Sequence, residues 1–262
     1  MKKILMIGTG HMGEAILKAL SIKLEKTKYK MFILNRNEQK SQNLANLYKC
    51  NYLDYKQVIN FNQFDIFILG FRPSDAKNFF KTFKLNDQKN KLIISMLNAY
   101  TIDTIKLNFE NNINIVRIMP NMNASECKSS TGYVTYGVNK NLINIGIDII
   151  KYFGKAYELE ESNFSGFVAL TGCAPAFIYE FINGFKEFAK ECGYDLKQAN
   201  EFIKDTIVAT TNFALSEEYK LDDLINKIIV PGGPTEAGHN VLIHNNFKDI
   251  LIKCFEASKE KS

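Results

Sequence analysis

The sequence predicts two unlike parts: a doubly wound, mostly parallel α/β sheet over residues 1–160 and an all-helical part over 161–262. Three observations predict it. Short apolar runs alternate with helical patterns up to residue 159, a strand–glycine–helix junction begins at Gly8, and no convincing strand follows residue 161. The chain has 262 residues, room for one large domain or two smaller ones. With 46% apolar residues, a fold of this size buries roughly 70–75% of its extended-chain surface and needs neither disulfide nor metal to hold it.

Strands are expected at 4–7, 31–34, 64–69, 92–96, 113–118, 133–136 and 156–159. A helical pattern through Ala15, Ile16, Ala19 and Leu20 follows the first. Another helical stretch follows Phe71-Arg72-Pro73, and a helix at 142–153 separates the last two strands. Apolar strands alternating with helices make a parallel sheet covered on both faces. Beyond 161, helices are expected at 164–170, 175–192, 195–215, 221–230, 235–243 and 247–258. Pro175 stands where a helix can start, Asp195 caps the third of these helices, and Thr235 caps the fifth.

Charge narrows the partners. The net charge of +5 comes from Lys and Arg scattered singly and in pairs, which suits an anionic small ligand better than a nucleic acid. No uninterrupted apolar run reaches the roughly 18 residues of a membrane helix. Met1-Lys2-Lys3 imitates the start of a signal peptide, but Gly8, Gly10, His11, Gly13 and Glu14 break any apolar core. The five cysteines are odd in number and widely spaced, without C-x-x-C. Reduced thiols in a cytoplasm and no metal site are the expectation.

Gly8-Thr9-Gly10-His11-Met12-Gly13 is a G-x-G-x-x-G loop between a strand and a helix, the context in which that pattern binds a dinucleotide. Gly8 allows the tight turn, Gly10 lets the backbone approach a pyrophosphate, and Gly13 lets the helix pack closely. This is a Rossmann-like arrangement. An NAD site usually carries an acid at the end of the second strand to hold the ribose 2′-hydroxyl. Here that strand ends Leu34-Asn35-Arg36-Asn37. Arg36 can pair with a 2′-phosphate, Asn35 can hydrogen-bond it, and Lys40 adds charge. The expected cofactor is therefore NADPH, with NADH less preferred. The bland alternative for Arg36 is a solvated loop arginine.

Three further segments stand out: Arg117-Ile118-Met119-Pro120-Asn121 after the fifth strand, Thr171-Gly172-Cys173-Ala174-Pro175-Ala176-Phe177, and Pro231-Gly232-Gly233-Pro234-Thr235-Glu236-Ala237-Gly238. Glycine-rich turns that run into helices make nests of N–H groups suited to a carboxylate. With the first loop and Phe71-Arg72-Pro73, in this order and spacing, they resemble the pyrroline-5-carboxylate reductase family over nearly the whole chain. Against that family's patterns, Val230 stands for a serine, Pro234 for a threonine, and Met122 and Asn123 for a threonine and a proline. Thr171 and Phe177 replace a serine and a tyrosine.

The resemblance implies NADPH-dependent reduction of a cyclic C=N bond to L-proline. It places the cofactor at Gly8, Thr9, Gly10, His11, Met12, Gly13, Asn35, Arg36, Leu69, Arg72, Pro73 and Asn121. The substrate would lie at Gly232, Gly233, Thr171, Cys173 and Pro175, with Thr235 as the catalytic hydrogen-bond donor to the ring nitrogen. A simple helix cap is the alternative for Thr235. An internal ion pair is the alternative to phosphate binding for Arg117. The resemblance also implies a homodimer through the helices, sometimes built into larger rings. Two other readings stay open: a non-catalytic NADP-binding protein, and a reductase of a related cyclic imine. A β-hydroxyacid dehydrogenase would place a lysine early in the helix at 175–192, and residues 175–185 contain none.

Overall fold

In the computed structural model, strand β1 (Lys2–Ile7) sends Ile4 and Met6 to one face of a sheet and Leu5 and Ile7 to the other, and all four are buried. The structure describes every residue except Ala99, Asn111, Glu217 and Glu218. It divides into two compact units, Met1–Gly172 with Ser262, and Cys173–Lys261.

The first unit holds one eight-stranded sheet. β2 (Tyr29–Leu34), β3 (Asn51–Tyr52), β4 (Ile66–Leu69), β5 (Leu92–Ser95), β6 (Asn114–Met119), β7 (Ser129–Tyr136) and β8 (Gly154–Glu158) stand in the order β3-β2-β1-β4-β5-β6-β7-β8. Every pairing is parallel except β6 with β7. The order reverses direction between β1 and β4, the switch point at whose carboxyl ends such sheets bind ligands.

The two faces are covered differently. Helices α1 (His11–Lys23) and α5 (Lys140–Lys151) lay Ile16, Leu20, Ile149 and Ile150 over Ile4, Met6, Ile66 and Val116. The other face is aromatic. Phe80 from α3 (Pro73–Thr82) joins Phe67 and Phe83, and the rings of Phe61 and Phe67 each stand 4.9 Å from that of Phe83 at steep angles. Short helices α2 (Glu38–Tyr48), α4 (Ile102–Lys106) and α6 (Phe164–Phe167) complete the unit.

Three features of this unit differ from the sequence reading. β3 has two residues, both exposed, and so carries no apolar pattern. β7 begins at Ser129, before the apolar run, because Ser129 and Thr131 are buried and share a hydrogen bond of 2.9 Å. The compact unit runs to Gly172 rather than ending at residue 160. The reason is packing: Phe164, Val168 and Ala169 are buried, and Phe167 fills the space over Gly132 so closely that a side chain there would collide with its ring.

The second unit is helical throughout: α7 (Ala174–Glu191), α8 (Leu196–Ala214), α9 (Leu221–Ile228), α10 (Pro234–His244) and α11 (Phe247–Glu260). The Asp195 carboxylate accepts hydrogen bonds from the Lys197 and Gln198 amides at 2.8 and 3.0 Å, so it caps α8 as expected. Thr235 does not cap α10. Gly233 holds that position, because Pro234 with its fixed φ occupies the first helical turn and leaves Thr235 inside the helix.

Among the described residues of this unit only Ala199 and Ile203 are buried, while Phe181, Phe188, Phe213 and Ile228 are exposed. The helical segment Glu161–Glu191 holds an 18-residue stretch long and apolar enough, by length and composition, to cross a membrane, with a mean hydropathy of 1.4 over that stretch. It is not a continuous apolar run: a π-helical stretch, Val168–Cys173, links two shorter apolar segments.

The aromatic face should be sensitive to loss of its central ring. Phe83→Ala is expected to cost about 3–5 kcal/mol, read as a lower urea midpoint at unchanged slope.

Candidate active site

Gly8 closes β1 with φ +86°, and no side chain fits there. A Cβ would stand 2.7 Å from the Phe71 amide nitrogen and 2.9 Å from the Gly70 carbonyl carbon. The Gly8 amide donates to the Leu34 carbonyl at 2.9 Å, so the turn is tied to the end of β2 as well. At Gly13, inside the first turn of α1, a Cβ would meet the Gly8 carbonyl oxygen at 2.6 Å. Gly10, the N-cap of α1, has nothing within 4 Å of its missing side chain. The two outer glycines are forced by close backbone, and the middle one faces open space. The first amides of α1, at His11, Met12 and Gly13, lie beyond it without helical acceptors. These residues fit a dinucleotide's phosphates. His11 is exposed, and Met12 leans on the core.

Thr9 is almost fully buried. Its amide and its hydroxyl both donate to Asn35 Oδ1 at 2.8 Å, and Asn35 Nδ2 donates to Ser41 Oγ at 3.1 Å. Asn35 thus turns toward the glycine loop and holds it, rather than presenting its oxygen to a phosphate. Arg36 is exposed and forms an ion pair with Asp75 at 2.8 Å. Lys40 is exposed in the first turn of α2.

Around the carboxyl ends of β4 and β6 the predicted residues separate into two groups. Arg72 is exposed at the N-cap of α3, and Pro73 is its first residue. Leu69 is fully buried in the aromatic face, and its carbonyl accepts from the Met96 amide. It therefore packs rather than faces a ligand. Asn121 is also committed inward. Its amide donates to Ser129 Oγ, its Nδ2 donates to the Thr171 carbonyl at 3.0 Å, and its Oδ1 accepts from the Asn123 amide. Thr171 spends its hydroxyl on the Phe167 carbonyl at 2.8 Å.

Arg117, on β6, resolves its two readings in favour of an internal pair. It bonds Glu161 and the Asn98 carbonyl, and its guanidinium carbon lies 3.6 Å from the centre of the Phe164 ring. Burial pulls the Arg117 pKa below the ordinary arginine value, and the Glu161 carboxylate opposes that shift. Asn121 and Arg117 together pin the segment from Glu161 to Thr171 onto the sheet unit.

In the helical unit, Cys173 is the half-buried N-cap of α7, and Pro175 stands in that helix's first turn. Gly232 has φ +73°. Its amide donates to Glu236 Oε2 at 2.7 Å, and the Gly233 amide donates to the Val230 carbonyl at 2.8 Å. The two amides expected to form a carboxylate nest are therefore occupied from within the chain. Glu236 sits third in α10 and reaches back in the manner of a capping box. Thr235 is exposed, and its hydroxyl makes no hydrogen bond among the described residues.

Sequence reasoning did not single out Asp75, Glu161 or Glu236. Glu236 and Asp75 carried the same signal, an acid three places after an N-cap, and Glu161 carried none.

A glycine loop at the switch point of a parallel sheet, joined to a separate helical unit, defines a nicotinamide-dinucleotide oxidoreductase. Residues 3–99 match a family model described as NADP oxidoreductase coenzyme F420-dependent, and residues 161–262 match one described as pyrroline-5-carboxylate reductase dimerisation. The chain is 31% identical to pyrroline-5-carboxylate reductase 2 of Bacillus subtilis over 265 residues, covering 100% of this chain and 94% of the relative. The crystal structure of 1-pyrroline-5-carboxylate reductase from Streptococcus pyogenes matches with a TM-score of 0.87 at 26% identity, covering 99% of this chain and 97% of that one. The Plasmodium falciparum pyrroline carboxylate reductase, solved with NADP bound, shares the fold with a TM-score of 0.87 at 23% identity, over 99% of this chain and 96% of that one. The chain belongs to the pyrroline-5-carboxylate reductase family.

Asn35→Ala should leave the buried Thr9 hydroxyl without its partner and loosen the loop. We expect the Kd for NADP⁺ to rise about tenfold in a fluorescence titration; an unchanged Kd would remove Asn35 from the account.

Proposed function

We propose that this protein reduces the C=N bond of 1-pyrroline-5-carboxylate to L-proline with NADPH. The observation that carries the reading is the match along the whole chain to a curated reductase of that reaction. Beside it stand an open phosphate loop at Gly10 and an unengaged threonine at the start of α10. When bound, the reduced nicotinamide supplies the hydride received by the ring carbon of the C=N bond.

The chain's own residues place and polarise. Gly8, Gly10 and the first turn of α1 hold the dinucleotide's phosphates, Thr9 and Asn35 keep that loop in shape, and Arg36 binds the 2′-phosphate. Arg72 and Pro73 flank the dinucleotide after β4. Thr235 Oγ1 donates a hydrogen bond to the ring nitrogen, and the proton that this nitrogen needs as its neighbouring carbon gains the hydride comes from solvent water. The substrate carboxylate takes the place of the Glu236 carboxylate at the Gly232 amide, and the Thr235 and Glu236 amides add donors at the helix start. No general acid of the His or Lys type is needed. Helix α7 carries lysine only at Lys186 and Lys190, which argues against a β-hydroxyacid dehydrogenase.

The exposed apolar helices of the second unit are covered by a second copy, giving a homodimer or a larger ring built from dimers. The same pairing explains the apolar helical segment Glu161–Glu191 without a membrane. The five free cysteines agree with a cytoplasmic protein. A second reading, reduction of a related cyclic imine, draws on Pro234, which removes both an amide and the family's hydroxyl from the helix start.

The test is NADPH oxidation with pyrroline-5-carboxylate. Rapid oxidation with proline formed is expected; no turnover in a protein that binds NADPH, but turnover with another cyclic imine, would move the assignment to the second reading. Thr235→Ala should lower kcat about a hundredfold with little change in KM, and Thr235→Ser should restore most of it. Full activity in Thr235→Ala would leave the threonine with a structural role only.

A further inference from the structure

The end of β2 lacks the acid that an NAD site carries there, yet the fold brings one in from elsewhere. Asp75, in the first turn of α3, reaches Arg36 and pairs with it at 2.8 Å. Arg36 comes from the loop after β2, and Asp75 from the helix that follows β4, so the two sides of the switch point meet in this contact. We propose that Asp75 is a specificity-determining residue for the cofactor. Its carboxylate competes with a 2′-phosphate for Arg36 and offers an acceptor to an unphosphorylated 2′-hydroxyl.

Three features of the pair carry the argument. It is solvent-accessible, with Arg36 two-thirds exposed and Asp75 one-third exposed, so it is weak enough for a phosphate to displace. A phosphate is the stronger partner because its oxygens and double charge match the guanidinium fork. Asp75 also lies at a helix start, where a carboxylate is favoured and stays in place. Lys40 and Arg72, the other cations of this edge, make no ion pair among the described residues. Arg36 is therefore the cation whose charge the chain itself balances, and neutralising Asp75 would free it.

This inference rests on the proposed dinucleotide site and not on the identity of the imine. The experiment is therefore direct binding, without substrate. NADP⁺ and NAD⁺ are titrated into the wild type, Asp75→Asn, Arg36→Gln and the double variant by protein fluorescence, with urea midpoints to show that each is folded. Asp75→Asn should tighten NADP⁺ by about three- to fivefold and should not tighten NAD⁺. In the Arg36→Gln background the same change should have no effect on NADP⁺. A ratio of the two Kd values that Asp75→Asn leaves unchanged would overturn the proposal. So would an equal tightening of NADP⁺ with Arg36 absent, since Asp75 would then act through general charge alone. Loss of binding of both nucleotides in the wild type would overturn the dinucleotide reading and this inference together, whereas failed imine turnover with intact nucleotide binding would touch neither.

Discussion

Close backbone contact at Gly8 governs the rest of the first unit. The turn can pass beneath Gly70 and Phe71 only because residue 8 has no Cβ and adopts φ +86°. That turn lowers the Gly8 carbonyl onto Gly13, which sets the angle at which α1 leaves the sheet and points its first amides at the space over Gly10. Thr9, carried in the same turn, is buried and needs a partner for its amide and hydroxyl. Asn35 provides it from the adjacent strand end. One backbone constraint thus links β1, β2, β4 and α1 at the edge where a dinucleotide is proposed to bind.

A second set of contacts fixes the far half of the sheet. Arg117 is buried on β6, a position that would be costly without charge compensation. Glu161 supplies it, the Asn98 carbonyl takes a further hydrogen bond, and the Phe164 ring lies against the guanidinium. Asn121 adds a bond to the Thr171 carbonyl. These contacts explain why the sheet unit extends beyond its last strand. The helical unit shows the opposite balance, with few buried side chains and many exposed rings. Such a unit depends on a partner for its apolar surface, in keeping with its match to a dimerisation family.

Much of this was legible in the sequence because the central strands are buried on both faces and read as apolar runs. The G-x-G-x-x-G loop was equally plain, since the pattern itself spans only six residues, although the backbone that forces Gly8 comes from distant Gly70 and Phe71. The two-residue β3 was not legible, because exposed Asn51 and Tyr52 leave no pattern. Within the site, residue types were read more reliably than their partners. Asn35 and Arg36 stand at the expected strand end, but the contacts that occupy them come from Thr9 and Asp75, and the latter lies 39 positions away in sequence. Gly232 and Gly233 stand in the expected turn, but a glutamate one helical turn later fills the Gly232 amide. Long-range ion pairs and local side-chain reach decide these contacts, and neither leaves a periodic trace.

The two candidate anion sites share a physical logic. At Arg36 and at Gly232 the chain's own carboxylate stands where a ligand's anion is proposed to bind. Each group is thereby held ready and kept from leaving an unbalanced charge or an unpaired amide, at the cost of a competitor that the ligand must displace. The central claim is that this scaffold delivers hydride to the carbon of a cyclic C=N bond. The most direct test is to supply pyrroline-5-carboxylate with NADPH fully deuterated at C4 of its nicotinamide and examine the proline by mass spectrometry and NMR. The account predicts a single deuterium, on the ring carbon that had been double-bonded to nitrogen. Proline without deuterium at that carbon, or no proline from a protein that holds the cofactor, would contradict it.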